Sequence, residues 1–183
     1  MERLVIWRGL DEWRAEASWV RIEDERLSAT GTQLGAMPDP YRLDYTLRTG
    51  PRFVTETLEL SLVRAGALKR LRLVRESDGT WTADDMRLPE VEGALDCDLG
   101  LCPLANTMPV LRENLLSPGT APRDFVMTWV DVPDLTVHRS DQRYEPIDEH
   151  HVRFVGVGTS FVAELEYDDD GLVVHYPELA ERV

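Results

Sequence analysis

The chain alternates apolar and polar residues at a period of two over most of its length, the mark of strands with one face buried. Tyr41, Leu43, Tyr45 and Leu47 alternate with Arg42, Asp44, Thr46 and Arg48, and Leu58, Leu60 and Leu62 alternate with Thr57, Glu59 and Ser61. Leu4–Trp7, Trp19–Ile22, Leu27–Thr30 and the pair Leu71 and Leu73 extend the pattern in the first half. Ser77-Asp78-Gly79-Thr80 reads as a hairpin turn into Trp81. In the second half the same rhythm covers Leu95–Leu101, then Phe125, Met127 and Trp129, a short strand at Leu135 and Val137, and Val152–Val157. Phe161, Ala163, Leu165 and Tyr167 lead to a tight polar turn at Asp168–Gly171, and Leu172, Val174 and Tyr176 return from it until Pro177.

One segment departs from that rhythm. Leu104, Met108, Leu111 and Leu115 fall at helical spacings, with Thr107 as the expected cap and Pro109 in a first turn, where proline is tolerated. The spacing predicts one helix over 108–116, stopped by Ser117-Pro118-Gly119. A weaker helical stretch is expected near Asp11–Glu16. A sheet this long must cover its inner face. With one substantial helix available, the expected fold is mostly β: an antiparallel meander rolled around that helix, or an incomplete barrel, forming one domain over 1–183.

Charge narrows the partners. The net charge is −14, and it is uneven: residues 1–75 carry +2 and residues 76–183 carry −16. An acidic protein is repelled by nucleic acid and by anionic membrane surfaces, so neither is expected. The acidic half reads most simply as a solvated surface. No apolar run approaches the ~20 residues of a membrane span, and MERLVIWRGLDEW is interrupted by charge too early for a secretory signal. The expected location is the cytoplasm, where Cys97 and Cys102 would be free thiols. The oligomeric state is not readable from the sequence.

Several segments together resemble the Putative glycolipid-binding family of bacteria: LDCDLGLCPLANTMPVLREN (95–114), WVDVPDLTVHRSDQRY (129–144), GLVVHYPEL (171–179), and, earlier, VIWRGL and PYRLDYTL. The resemblance spans nearly the whole chain. It implies a spiral β-roll, a long antiparallel sheet wrapped around one α-helix, and a role argued from likeness to carriers that hold acyl chains in a half-open β cavity. Such carriers usually work outside the cytoplasm, and the expected location here departs from that. The family's Asn-Thr-Leu-Pro-Ile-Arg-Arg motif matches Asn106, Thr107, Met108, Pro109, Val110, Leu111 and Arg112, with Leu111 in place of the first arginine. If that pair holds an anionic head group, Arg112 alone remains to do so.

The residues carry three functional readings. The first is a binding protein for an amphipathic small molecule such as a glycolipid or another acyl-bearing metabolite, held inside the roll, with Arg112, Asn106, Trp129, Tyr144 and Asp98 as candidate ligand contacts. Arg112 inside a roll needs an anion, because an unpaired buried charge is costly. Asp96 and Asp98 are the nearest candidates in sequence; the alternative is a ligand phosphate or carboxylate, which the planar guanidinium suits. Trp129 offers a ring at a wet–dry boundary, though core packing is the simpler role for any single ring. The second reading is an interaction or scaffold module with a packed interior and a contact on an edge strand or the acidic half. The third is an enzyme acting on such a ligand, with Asp96, Asp98 or a histidine as acid or base.

No catalytic set is expected from the motifs. His138, His150, His151 and His175 lack a metal-binding spacing, Ser160 is not in a G-x-S-x-G elbow, and Cys97 and Cys102 cannot complete a zinc site alone. Asp96-x-Asp98 places two carboxylates on one strand face, where a metal would want further oxygen ligands. No cofactor and no metal are expected.

Overall fold

The structure is a computed structural model covering residues 1–183. Fifteen strands form one sheet that is not closed, and one short helix lies against it. The first half runs as a meander: β1 (Glu2–Gly9), β2 (Arg14–Glu23), β3 (Arg26–Gly35), β4 (Tyr41–Thr49), β5 (Thr55–Arg64), β6 (Ala67–Arg75), β7 (Trp81–Ala83) and β8 (Met86–Arg87). Successive strands pair antiparallel out to one sheet edge at β8. The chain then crosses to the opposite edge, β9 (Asp96–Leu99), and works back through β10 (Arg123–Val130), β11 (Val137–Pro146), β12 (His151–Gly156), β13 (Val162–Tyr167), β14 (Val173–Tyr176) and β15 (Ala180–Arg182). β15 pairs with β1, so the two ends of the chain meet in mid-sheet.

The alternation has its expected consequence. Leu43, Tyr45 and Leu47 lie directly across from Leu62, Leu60 and Leu58, and Leu60 and Leu58 in turn face Leu71 and Leu73 on β6. These side chains are buried and belong to the larger of two cores, each full burial worth about 1.5–3 kcal/mol. The smaller core gathers Met127, Tyr144, Val152, Phe154, Leu165, Tyr167 and Tyr176.

β9 stands between the two. Its Cys97 and Leu99 point into the larger core, while Asp96 and Asp98 take the other face. Thr55 fastens the β9 edge to the start of β5: its amide donates to Leu95 O at 3.0 Å, and its hydroxyl accepts from the Cys97 amide at 3.2 Å. The sheet therefore curls until one edge lies inside its own concave face. This is a mostly β, wrapped roll around a short helix.

Several expectations need correction. The helix, α1, is Thr107–Glu113, entered through a 3-10 turn at Pro103–Asn106. It is shorter than the expected 108–116 and ends at Asn114, in the left-handed region at φ 53°, three residues before Ser117-Pro118-Gly119. Thr107 is not its cap. It sits within the helix, and its buried Oγ1 has no hydrogen-bond partner. Asp11–Glu16 is not helical: a bend leads into β2 at Arg14, because Arg14 and Glu16 are inward positions of a strand. The meander has one parallel exception, β9 with β10, which are joined by the long connection that carries α1. Leu135 lies in a loop at φ 51°, and the strand expected around it is the ten-residue β11 that follows.

Candidate functional site

The inner face of β9 continues onto β10 and β11, since Met127 and Trp129 pair with Asp96 and Asp98, and Ser140 and Gln142 follow in register across β11. That shared face sets Asp96, Asp98, Ser140 and Gln142 beside the apolar side chains of Met127 and Trp129. Two sites arise on it.

At the first, Arg112 near the end of α1 reaches Asp96. Nη1 donates to Oδ1 and Nη2 to Oδ2, both at 2.6 Å, and both side chains are only 1% exposed. The guanidinium carbon lies 5.5 Å from the centre of the Phe125 ring, and Glu113 Oε1 stands 3.4 Å from Nε. Burial pushes the Asp96 carboxyl up, and the two hydrogen bonds from Arg112 oppose that. Of the two anions that the sequence offered Arg112, the structure gives it Asp96.

The second site is a cleft of about 280 Å³ between the Leu99–Cys102 segment and the inner face of β10, β11, β12 and β14. Asp98, Asn106 and Trp129 all line it, together with Ser140 and Gln142. Gln142 Nε2 donates to Asp98 Oδ2 at 2.6 Å and lies 3.2 Å from Ser140 Oγ. Tyr144 stands behind this polar end; its buried hydroxyl donates to Asn106 Oδ1 at 2.8 Å, with Gln142 Oε1 at 3.3 Å. The amides of Asn106 and Gln142 are thus oriented by side chains below the surface. Burial raises the Asp98 carboxyl from 3.8 to about 6; the Gln142 hydrogen bond opposes the rise and the Asp96 charge adds to it.

The apolar end of the cleft is aromatic. Phe154 and Phe161 centres lie 5.7 Å apart, Phe154 and Tyr176 6.3 Å, and Phe161 and Tyr176 6.2 Å. Trp129 stacks obliquely on His138 at 5.7 Å, beside Gly100, where an added Cβ would fall 2.9 Å from Val130 O and 3.6 Å from the indole nitrogen. Glycine there lets the loop close over the ring.

The five sequence-derived candidates therefore divide. Asp98, Asn106 and Trp129 line one cleft, Tyr144 supports it from below, and Arg112 sits in the ion pair with Asp96 and does not line it. Ser140, Gln142, Phe154, Phe161 and Tyr176 complete the cleft and were not singled out from the sequence as ligand contacts. The spacing Ser140-x-Gln142-x-Tyr144 is the signal that would have found part of it: polar residues alternating in a strand that turns out to face inward.

A buried polar group lies behind the loop wall. Glu16 Oε1 accepts from the Tyr45 hydroxyl at 2.6 Å and from Cys102 Sγ at 3.1 Å, while Oε2 accepts from Gln33 Nε2 at 3.0 Å. Burial raises the Glu16 carboxyl. A larger groove, about 540 Å³, crosses β2, β3 and β4 and is edged by Arg21, Glu23, Arg26, Arg48 and Glu56. No group of three His, Cys, Asp or Glu side chains converges as a metal set. No helix is long and apolar enough to cross a membrane.

Comparison with known proteins points one way. Residues 4–182 match the model of a family described as Putative glycolipid-binding. The fold is similar to the crystal structure of a DUF1089 family protein from Pseudomonas aeruginosa, with a TM-score of 0.79 and 27% sequence identity over 97% of this chain and 95% of that one. No curated protein matches the chain significantly.

Proposed function

The chain belongs to the Putative glycolipid-binding family, and from that premise we propose that it binds an amphipathic small molecule, seating its polar head in the cleft between Asp98 and Trp129. The observation that carries this reading is the division of the cleft. One end presents oriented hydrogen-bonding groups from Asp98, Gln142, Ser140 and Asn106, and the other presents the rings of Trp129, Phe154, Phe161 and Tyr176. Carboxylate and amide groups can bind hydroxyls, and aromatic faces accept the apolar face of a sugar or the first carbons of a chain. About 280 Å³ lies at the small end of the ~300–1,000 Å³ that ligand pockets span. That suits one head group and the start of a tail. The rest of a long acyl chain would lie outside, because both cores of the roll are filled by side chains.

The test is calorimetric titration of the protein with octyl-β-D-glucoside below its micelle concentration, with D-glucose and octanoate alongside. Saturable binding of the glucoside, weakened at least tenfold by Trp129→Ala, is expected. Glucoside binding that Trp129→Ala leaves intact removes the cleft from the reading.

A second reading, an interaction module, draws on the outer face. Leu4 and Trp19 are directly paired across β1 and β2 and are 53% and 50% exposed. Association of the purified protein that is abolished by Leu4→Ser, together with failure of all three ligands to bind, would favour it.

A further inference from the structure

We infer that the cleft selects a cationic head, a primary or quaternary ammonium group set against the Asp98 carboxylate and bordered by the rings of Trp129, Phe154, Phe161 and Tyr176. This rests on the binding reading above and narrows it to a class of ligand.

The charge pattern comes first. Asp98 is the only charged side chain lining the cleft. Asp96, two residues away on the same face, has a guanidinium on both oxygens; Asp98 has no ion pair, and only one of its oxygens receives a hydrogen bond, from Gln142. A partly buried carboxylate without a counter-ion is an incomplete arrangement, and a ligand cation completes it. An anionic head would meet that carboxylate with no cation lining the cleft to offset it.

The rings supply the second part. Phe154, Phe161 and Tyr176 pack against one another, with ring centres 5.7–6.3 Å apart and tilts of 47–68°, and form one aromatic wall of the cleft. Trp129 borders the same cleft from β10, level with Asp98 in the parallel pairing. Aromatic faces attract a cation lying within ~6 Å of a ring centre, most strongly where water is excluded, and groups of such rings recognise ammonium ions. A carboxylate beside several rings satisfies both the charge and the apolar periphery of an ammonium group.

The ionisable groups around Asp98 are few. Asp96 shares its strand face but is committed to Arg112; Cys97 lies on the opposite face of β9; Cys102 lines the loop wall, its thiol donating to Glu16 behind it; Tyr144 approaches from β11 and Tyr176 from β14; His138 is stacked beyond Trp129. None but Asp98 offers the cleft a negative charge. With its carboxyl at about 6, ammonium binding is expected to be about tenfold weaker at pH 5 than at pH 7.5, following the ionised fraction.

The experiment titrates the full chain with D-glucosamine, choline chloride, D-glucose and octyl-β-D-glucoside at pH 7.5 and pH 5, in the wild type and in Asp98→Asn, with a melting curve on each to establish folding. Glucosamine or choline should bind at least tenfold more tightly than glucose at pH 7.5, and the preference should fall about tenfold at pH 5 and vanish in folded Asp98→Asn. Tighter binding of glucosamine assigns the ammonium to an amino sugar, and tighter binding of choline to a choline-type head; both support the inference. Octyl glucoside binding without any ammonium preference overturns the inference and leaves the binding reading standing. A preference that persists in Asp98→Asn also overturns it, and failure of all four compounds to bind removes both.

Discussion

Asp96 and Asp98 stand two residues apart on one face of β9, and only Asp96 is matched by a cation. Asp96 receives both arms of Arg112, and its position is structural. Asp98 receives one amide hydrogen bond and opens onto the cleft. The roll thus places a closed ion pair and an open carboxylate side by side, on a strand whose other face is core.

That difference predicts how stability varies with pH. The folded Asp98 carboxyl titrates at about 6, above the ~3.9 of an unfolded aspartate. The native state therefore holds the proton more tightly. The stabilisation that the protonated group provides is complete below about pH 4 and is lost as pH rises through 6. Asp98→Asn cannot ionise, and its side-chain oxygen can still accept from Gln142. At pH 7.5 the variant should be more stable than wild type by about 1–3 kcal/mol, and at pH 4 the two should coincide. Urea unfolding at both values measures it; an equal difference at both would contradict the assignment.

The Arg112–Asp96 pair predicts a loss. Removing one partner leaves the other charge buried, which typically costs about 3–5 kcal/mol. Arg112→Ala should lower stability by that amount, and Asp96→Asn by somewhat less because an amide can still accept. Replacing the pair together, as Arg112→Met with Asp96→Leu, should recover much of the loss. A double-mutant cycle from chemical denaturation measures the coupling, and additive single effects would show that the pair is not a unit.

The strands were legible where one face is dry. β4 and β5 alternate cleanly because their inward positions all enter the large core. β11 was not legible beyond its start, because its inward residues include Ser140 and Gln142, which line a polar cleft and break the apolar signal. β15, only three residues long, gave no pattern, so its pairing with β1 was invisible. Hairpin turns were also obscured: Asp24-Glu25 and Asp84-Asp85 adopt positive φ at both central positions without the glycine that usually announces it. Asn106 and Trp129 were picked out through the family resemblance, and Asp98 through the Asp96-x-Asp98 alternation. The aromatic end of the cleft was not, since Phe161 and Tyr176 read as ordinary alternating strand residues until the roll brings them together.

Gly31 carries a packing prediction. A Cβ there would lie 2.3 Å from the Tyr45 ring, which covers the glycine on the neighbouring strand. Gly31→Ala must therefore displace Tyr45, and with it the hydroxyl that donates to Glu16 at 2.6 Å. The expected loss is about 1–3 kcal/mol, the usual range for overpacking. Since the clash is with the ring, Tyr45→Ala in the same chain should make the Gly31→Ala step nearly neutral. Thermal unfolding of the four variants in the cycle tests this.

The two thiols should be unreactive in the folded protein, both chiefly because they are buried. Cys97 lies in the large core, where burial raises its thiol to about 12. Cys102 touches the cleft wall but is 4% exposed, and burial also pushes its thiol well up, helped by the neighbouring Glu16 carboxyl. Only the thiolate is an effective nucleophile, so both should resist alkylation. Iodoacetamide at pH 8 is expected to modify neither residue in the native state and both in 6 M guanidinium, read by mass spectrometry of the peptides. Glu16→Gln removes the charge that disfavours the Cys102 thiolate and leaves Cys97 untouched. In that variant Cys102 alone should react measurably faster, and a rate for Cys102 that does not change would sever the proposed link between the buried carboxyl and the cleft wall.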